Sequence, residues 1–366
     1  MDPLAHTLAG AALAETRLGN VTPLAAPALI LGSNLPDIDA VAMLVDRDLA
    51  LAVRRGWTHG VLAVAVLPVV LTLALLLFDR SLARRRGQEA RARAGPLLGL
   101  SALAVASHPA LDWLNTYGVR LLMPFDGTWF YGDALFIVDA WVWLMLGAPV
   151  VLGRSATLFG CAAWTLLGLA TTWLVVGFEG LPVGPKLLWC AGVAAIVWLR
   201  LSTRWRQRTA PLATLCISAT GLFLAVMAAG SHLAERQAAE WLVQRGNAPE
   251  EVMASPVPGN PLRRNIVAAD GTRYRLLEVD WLSAEPVRTV APPVDRGGEG
   301  PIVQAALAAP QVRGLVAWIR FPAYRVEETE EGHRVSIFDV RYSWRAGNGF
   351  GTAVVELDRD LRVLAR

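Results

Sequence analysis

Three of the five histidines in this 366-residue chain, His6, His59 and His108, fall in or beside strongly apolar sequence. An ionisable side chain is costly there and points to a functional site. His108 and Asp112 are four residues apart, so on a helix both point to one face about one turn apart and can hold one ion from two sides. The run Asn34-Leu35-Pro36-Asp37-Ile38-Asp39 sets two carboxylates just after a proline. Two residues apart they would diverge on an ideal helix, but Pro36 breaks the hydrogen-bond pattern and can let them converge. Thr58-His59 opens a further apolar run. Neutral imidazole with carboxylate suits Zn, Mn or Fe, and a carboxylate-rich site also accepts Mg. His6, Asp37, Asp39, His59, His108 and Asp112 are therefore the candidate ligands of one divalent ion, or of two. Two ions about 3.5–4 Å apart would clamp an in-line displacement at phosphorus and generate hydroxide.

These residues must be positioned by membrane helices. The chain is 54% hydrophobic and 18% charged, with a formal net charge of +3; this excludes a disordered protein and argues against an ordinary soluble globule. The charge is uneven: 30 of the first 230 residues are Asp, Glu, Lys or Arg, against 35 of the last 136. Residues 1–230 thus read as a membrane-embedded helical domain carrying the site, and 231–366 as an extramembrane α+β domain. Segments 24–45, 58–78, 96–114, 134–153, 156–176 and 210–230 are predicted to span, since a span needs roughly 17–25 apolar residues. Segment 187–201 is shorter, and 3–18 either spans or lies in the interface. The expected fold is an α-helical polytopic membrane protein of seven or eight helices with a C-terminal soluble, mainly-β domain.

Orientation follows from arginine. Arg80, Arg84, Arg85, Arg86, Arg91 and Arg93 in one loop, and Arg200, Arg204, Arg206 and Arg208 in another, place both loops in the cytoplasm. Alternation then puts 46–57, 115–133, 177–186 and the C-terminal domain outside. His6 (if its helix spans), Asp37, Asp39, His59, His108, Asp112, Asp133 and Asp139 all fall at that same outer face. None of them was used to set the orientation. The basic excess reports topology, so no nucleic-acid partner is expected; membrane lipids are. Cys161, Cys190 and Cys216 lie in apolar runs and look like buried hydrophobes rather than disulfide or metal positions. Met1-Asp2-Pro3 lacks a basic n-region, and no cleaved signal peptide is expected.

After Gly230 the pattern changes. Residues 232–247 suggest a short amphipathic helix, 255–261 a Pro-rich breaker and 284–301 a second Pro/Gly-rich loop. Period-two stretches at 274–279, 315–319, 334–342, 352–357 and 361–364 predict a mainly antiparallel sheet.

Several motifs taken in order carry a resemblance. His6-Thr7-Leu8-Ala9-Gly10, Leu35-Pro36-Asp37-Ile38-Asp39, Arg55-Gly56-Trp57-Thr58-His59, His108-Pro109-Ala110-Leu111-Asp112 and Asn115-Thr116-Tyr117-Gly118 form one ordered set. With Tyr131-Gly132-Asp133, Phe136-Ile137-Val138-Asp139, Asn260-Pro261-Leu262 and Phe321-Pro322-Ala323-Tyr324, the chain resembles the YdjM/YfhP family of inner-membrane proteins, described as metal-dependent hydrolases and sometimes as LexA-binding. The family's third block reads His-Arg-Gly-x-Thr-His-Ser. Here Arg54 stands where its first His would be, and Gly60 replaces its Ser. Arg54 is suited instead to a phosphate.

The resemblance and the residues together imply a bacterial inner-membrane hydrolase with an outward-facing metal site. His59, His108 and Asp112 are the catalytic candidates. A phosphoester or other ester, lipid or lipid-linked, is the expected substrate. Asn34, Arg54, Arg55, Asn115, Tyr117, Asp133 and Asp139 are candidates for steadying ligands or meeting that substrate. Asp133 could equally cap its helix, and Asn115 and Tyr117 could close a helix C-terminus. The alternative is a non-enzymatic scaffold or stress-response partner whose metal is structural.

Overall fold

The computed structural model describes residues 1–202, 205, 208–343 and 349–364. Arg204 and Arg206, two of the orientation signals, lie outside the described residues. The chain forms two compact units. The first comprises residues 1–38, 55–229 and 256–261. The second comprises 39–54, 230–255 and 262–366, so a short excursion, 39–54, leaves the membrane part of the sequence and groups with the C-terminal domain.

In the first unit, α1 (Pro3–Glu15) starts at Asp2, whose carboxylate accepts from the Ala5 N–H at 3.1 Å, with Pro3 at the first helical position. Its 13 residues reach about 20 Å, short of the ~30 Å hydrocarbon core. The expected span 24–45 is not one helix. Residues Ala25–Gly32 form α2, and Leu35–Leu44 follow as a 3-10 segment. Pro36 supplies no N–H and disfavours helix at Leu35, and Asn34 Nδ2 instead donates to the Ile30 carbonyl at 2.8 Å.

Among the described residues, five helices are long and apolar enough to cross a membrane: α4 (Val61–Arg85), α5 (Ala94–Trp113), α7 (Leu158–Gly177), α8 (Val183–Leu201) and α9 (Thr209–Val243). Three of the expected seven or eight do not join these five by length, because segment 24–45 is broken and α1 and α6 (Ala140–Arg154) are short. The amphipathic stretch after 230 is no separate helix but the continuation of α9.

In the second unit, α3 (Arg47–Val53) comes from the excursion. Strands β1 (Glu251–Val257), β2 (Asn260–Asp270), β3 (Arg273–Asp280) and β4 (Val287–Asp295) form one sheet in sequence order. After α10 (Pro301–Leu307) and α11 (Arg313–Trp318), β5 (Pro322–Glu328), β6 (Gly332–Asp339) and β7 (Thr352–Asp358) form a second, antiparallel sheet. The period-two pattern decides the packing. Ile266, Ala268, Leu277 and Val279 cluster with Ala234, Ala238 and Leu242 of α9. Their alternates Val267, Ala269, Tyr274 and Leu276 cluster with Phe321, Ala323 and Phe338 of the other sheet.

Three expectations here need correcting. Residues 315–318 are helical and Ile319 is the helix's extended C-cap; the Asp48 carboxylate accepts from the Gly314 and Leu315 N–H groups at 2.7 and 2.9 Å and caps α11. The expected loop 284–301 contains β4, whose Pro292 and Pro293 are tolerated on an edge strand. Segment 361–364 makes only an isolated bridge, Leu357 to Val363.

Burial pushes the Tyr274 phenol up to about 12, while its hydroxyl donates to the Pro322 carbonyl at 2.9 Å. A phenol harder to ionise in the fold than in the unfolded chain lends stability that is intact below pH 10. That stability is lost as pH rises from about 10 to about 12. Alkaline unfolding followed by circular dichroism should therefore show a loss over that window which Tyr274→Phe removes; an identical profile in the variant would refute the assignment.

Candidate metal centre

The helical register of α5 puts His108 and Asp112 on one face, and both are fully buried. Three other segments close around them. α1 brings His6, whose ring stacks on His108 with centroids 3.7 Å apart. The turn before α4 brings His59, whose Nε2 lies 3.1 Å from His108 Nε2. The 3-10 segment brings Asp37, with Oδ1 3.7 Å from His108 Nε2. His6 and His59 are also fully buried, whereas the Asp37 side chain keeps 14% exposure.

Asp112 is the centre of the cluster, and its two oxygens have different company. Oδ1 meets the Arg55 guanidinium at 3.0 Å, His6 Nε2 at 3.2 Å and the Met1 amine. Oδ2 lies 3.2 Å from His59 Nε2 and 3.6 Å from His108 Nε2, is buried, and accepts no hydrogen bond. His108 Nδ1 lies 2.7 Å from the Ser33 carbonyl, which can only accept. The proton therefore sits on Nδ1, and Nε2 presents a lone pair to His59, Asp37 and Asp112. A buried lone pair facing two carboxylates, beside an orphaned carboxylate oxygen, is an arrangement that a cation would satisfy. Two groups have ligand atoms within 4.8 Å of one another and could hold a metal ion: His6, His108 and Asp112, and Asp37, His59 and His108.

The supporting residues divide by contact. Arg55 Nη1 donates to Asn115 Oδ1 at 2.8 Å and to the Gly118 carbonyl at 3.3 Å, and its guanidinium lies 4.5 Å from the Tyr117 ring centroid. Asn115 Oδ1 also accepts from the Tyr117 N–H at 2.9 Å. Arg55 itself sits at φ 53, a left-handed conformation uncommon outside glycine, as happens where function over-determines a backbone. Gly118, at φ 85, is required, since a Cβ there would run into the Tyr131 ring. Asn34 accepts from Thr7 Oγ1 at 2.9 Å and ties α1 to the 3-10 segment.

Other candidates go elsewhere. Asp39 and Arg54 belong to the second unit, where Oδ1 and Nε lie 3.8 Å apart. Asp37 and Asp39 both lie on the 3-10 segment, and of the two it is Asp37 that groups with His59 and His108 as a possible ion ligand. Asp139 uses Oδ1 to cap α6, accepting from the Trp141 and Val142 N–H groups at 3.0 and 3.1 Å. Asp133 is buried at φ 47, ahead of that helix. Sequence reasoning missed two supports. Thr58 Oγ1 lies 2.9 Å from His59 Nδ1, and its adjacency to the histidine was the available signal. Ser33 acts through its carbonyl, which no residue type advertises.

No curated protein and no solved structure matches this chain. Residues 1–181, which include every residue of the His/Asp cluster and seven of the nine motif segments that carry the resemblance, match the YdjM inner membrane protein family. Over that region the chain matches the YdjM inner membrane protein family, and helices there are long and apolar enough to cross a membrane.

Proposed function

We propose that the chain is a membrane-bound, metal-dependent hydrolase acting on a phosphoester or other ester at the outer face of the inner membrane. The C-terminal domain would stand on the periplasmic side, as the arginine distribution favours. The observation that carries this reading is the buried meeting of His108 Nε2 with the orphaned Asp112 Oδ2. One ion fits better than two. An imidazole nitrogen has a single lone pair, so His108 serves one ion, and the Oδ1 side of Asp112 is already compensated by Arg55. His59, His108, Asp37 and Asp112 Oδ2 are then the ligands, and His6 packs against them on the Oδ1 side. Two imidazoles with two carboxylates favour Zn, Mn or Fe over Mg. A bound ion of this kind lowers the pKa of water toward neutrality and polarises a phosphoryl or carbonyl oxygen.

The chain's own groups do the rest. Arg55 fixes the Asp112 carboxylate and holds Asn115 beside it. Ser33 and Thr58 fix the two imidazole rings, as outer partners of metal-binding histidines do. Asp37 is the one of the five cluster members whose side chain is not fully buried, so substrate would approach from its side.

Full burial of the other four residues favours a second reading, a structural ion in a scaffold, because structural sites are closed and catalytic ones keep an open position. The two separate experimentally. The detergent-solubilised full chain is expected to carry stoichiometric metal and to hydrolyse members of a panel of phosphate esters and phospholipids. His108→Ala should lower both metal content and turnover by at least tenfold. Metal without turnover would favour the scaffold; wild type without metal would end both readings.

A further inference from the structure

The membrane unit contains a second cavity, separate from the His/Asp cluster and of different chemistry. A groove of about 440 Å³ runs between α1, α6, α7 and α8. Leu8, Trp143, Trp164, Trp189 and Val193 give it apolar walls. From Trp189 to Arg200 it follows α8 for about 16 Å, the depth of one leaflet of a ~30 Å hydrocarbon core. Gly147 of α6 and Gly168 of α7 also line it, and a Cβ at either would meet nothing within 4 Å. The space is open there rather than filled by a neighbouring helix.

Arg200 stands at one end. Its Nε donates to Ser155 Oγ and its Nη2 to the Ser155 carbonyl, both at 2.5 Å, and Nη2 lies 3.8 Å from Cys161 Sγ. All three partners are neutral. Among the described residues Arg200 has no carboxylate partner, whereas Arg154, at the end of α6, is paired with Glu15 at 2.8 Å. An arginine left uncompensated among membrane helices is costly, and its planar fork suits a phosphate. Hydrocarbon walls and one guanidinium at the end match the two halves of an anionic amphiphile.

We propose that this groove holds one acyl chain of an anionic phospholipid, with the lipid phosphate on Arg200. The site is independent of the metal cluster. α1 is common to both, but Leu4 and Leu8 line the groove while His6, two residues from each, stacks on His108.

The test uses the full chain in detergent, incubated with equal excesses of phosphatidylglycerol and of diacylglycerol, which lacks the phosphate, with matched chains, then analysed by native mass spectrometry. Wild type is expected to retain one lipid, with phosphatidylglycerol preferred about tenfold, the worth of one charge-assisted hydrogen bond. Arg200→Gln should bring that preference close to one. Gly168→Leu should fill the groove and reduce retention of both lipids at least fivefold, with thermal unfolding unchanged. Absence of retained lipid in wild type, or a preference that survives Arg200→Gln, would overturn the proposal. So would a lipid-free dimer that Gly168→Leu dissociates, since a second copy would then be the occupant. Should Arg200→Gln not fold, unchanged retention in Gly168→Leu is sufficient to reject the site.

Discussion

Asp112→Ala should unfold at a markedly lower temperature than wild type even after metal has been stripped from both. The Asp112 carboxylate is fully buried and is the anion that the Arg55 guanidinium meets at 3.0 Å, with Arg55 itself only 3% exposed. Deleting the carboxylate strands a buried guanidinium, and removing one partner of a buried ion pair costs about 3–5 kcal/mol. Adding metal to wild type should raise its unfolding midpoint further by mass action, and the variant should show no such response. A stripped variant as stable as stripped wild type would mean that Arg55 does not depend on Asp112. A variant that still gains stability with metal would place the ion elsewhere.

Asp339→Ala should have a comparable effect on the C-terminal unit alone. Asp339 is fully buried at the end of β6 and accepts from Arg341 Nε at 3.0 Å, Arg341 Nη2 at 2.7 Å and the Arg320 N–H at 2.9 Å. Arg341 is 1% exposed at its side chain and lies 4.7 Å from the Trp318 ring centroid. Without the carboxylate, that cation keeps neutral company such as the Trp318 and Tyr342 rings and the Trp318 carbonyl at 3.4 Å. A loss of about 3–5 kcal/mol is expected, read as protease cleavage of the second unit at a lower temperature. Metal retention by the first unit provides the internal control. Resistance equal to wild type would show that Arg341 does not depend on Asp339.

The sequence and the fold agree best where local geometry leaves no choice. The spacing of four between His108 and Asp112 fixes their common face on any helix, and α5 presents them so. The apolar runs of α4, α5, α7, α8 and α9 form helices long and apolar enough to cross a membrane, because length and hydropathy are local properties of the sequence. β3, β6 and β7 were legible in their period-two pattern. Where the answer depended on distant residues, local reading failed. α11 looked like a strand because its cap, Asp48, stands 266 positions away. β4 looked like a loop because its prolines are acceptable only at a sheet edge, a position that pairing creates. Asp37 and Asp39 were paired on the assumption that a proline break brings carboxylates together; Asp37 lies 3.7 Å from His108 and Asp39 lies 3.8 Å from Arg54.

By itself, then, the sequence determined the donor set: three imidazoles and a few carboxylates made conspicuous by apolar surroundings in which ionisable groups are rare. It also determined the face that His108 and Asp112 share. Only the tertiary structure decided which donors meet and in what state. Four segments far apart in the chain have to converge before Asp112 can turn one oxygen to Arg55 and leave the other facing His59 and His108. A backbone carbonyl at Ser33 has to arrive before the proton of His108 is fixed on Nδ1. The reason is physical: residue type and helical period are local quantities, whereas the compensation of a buried charge is settled by whatever the rest of the chain packs against it.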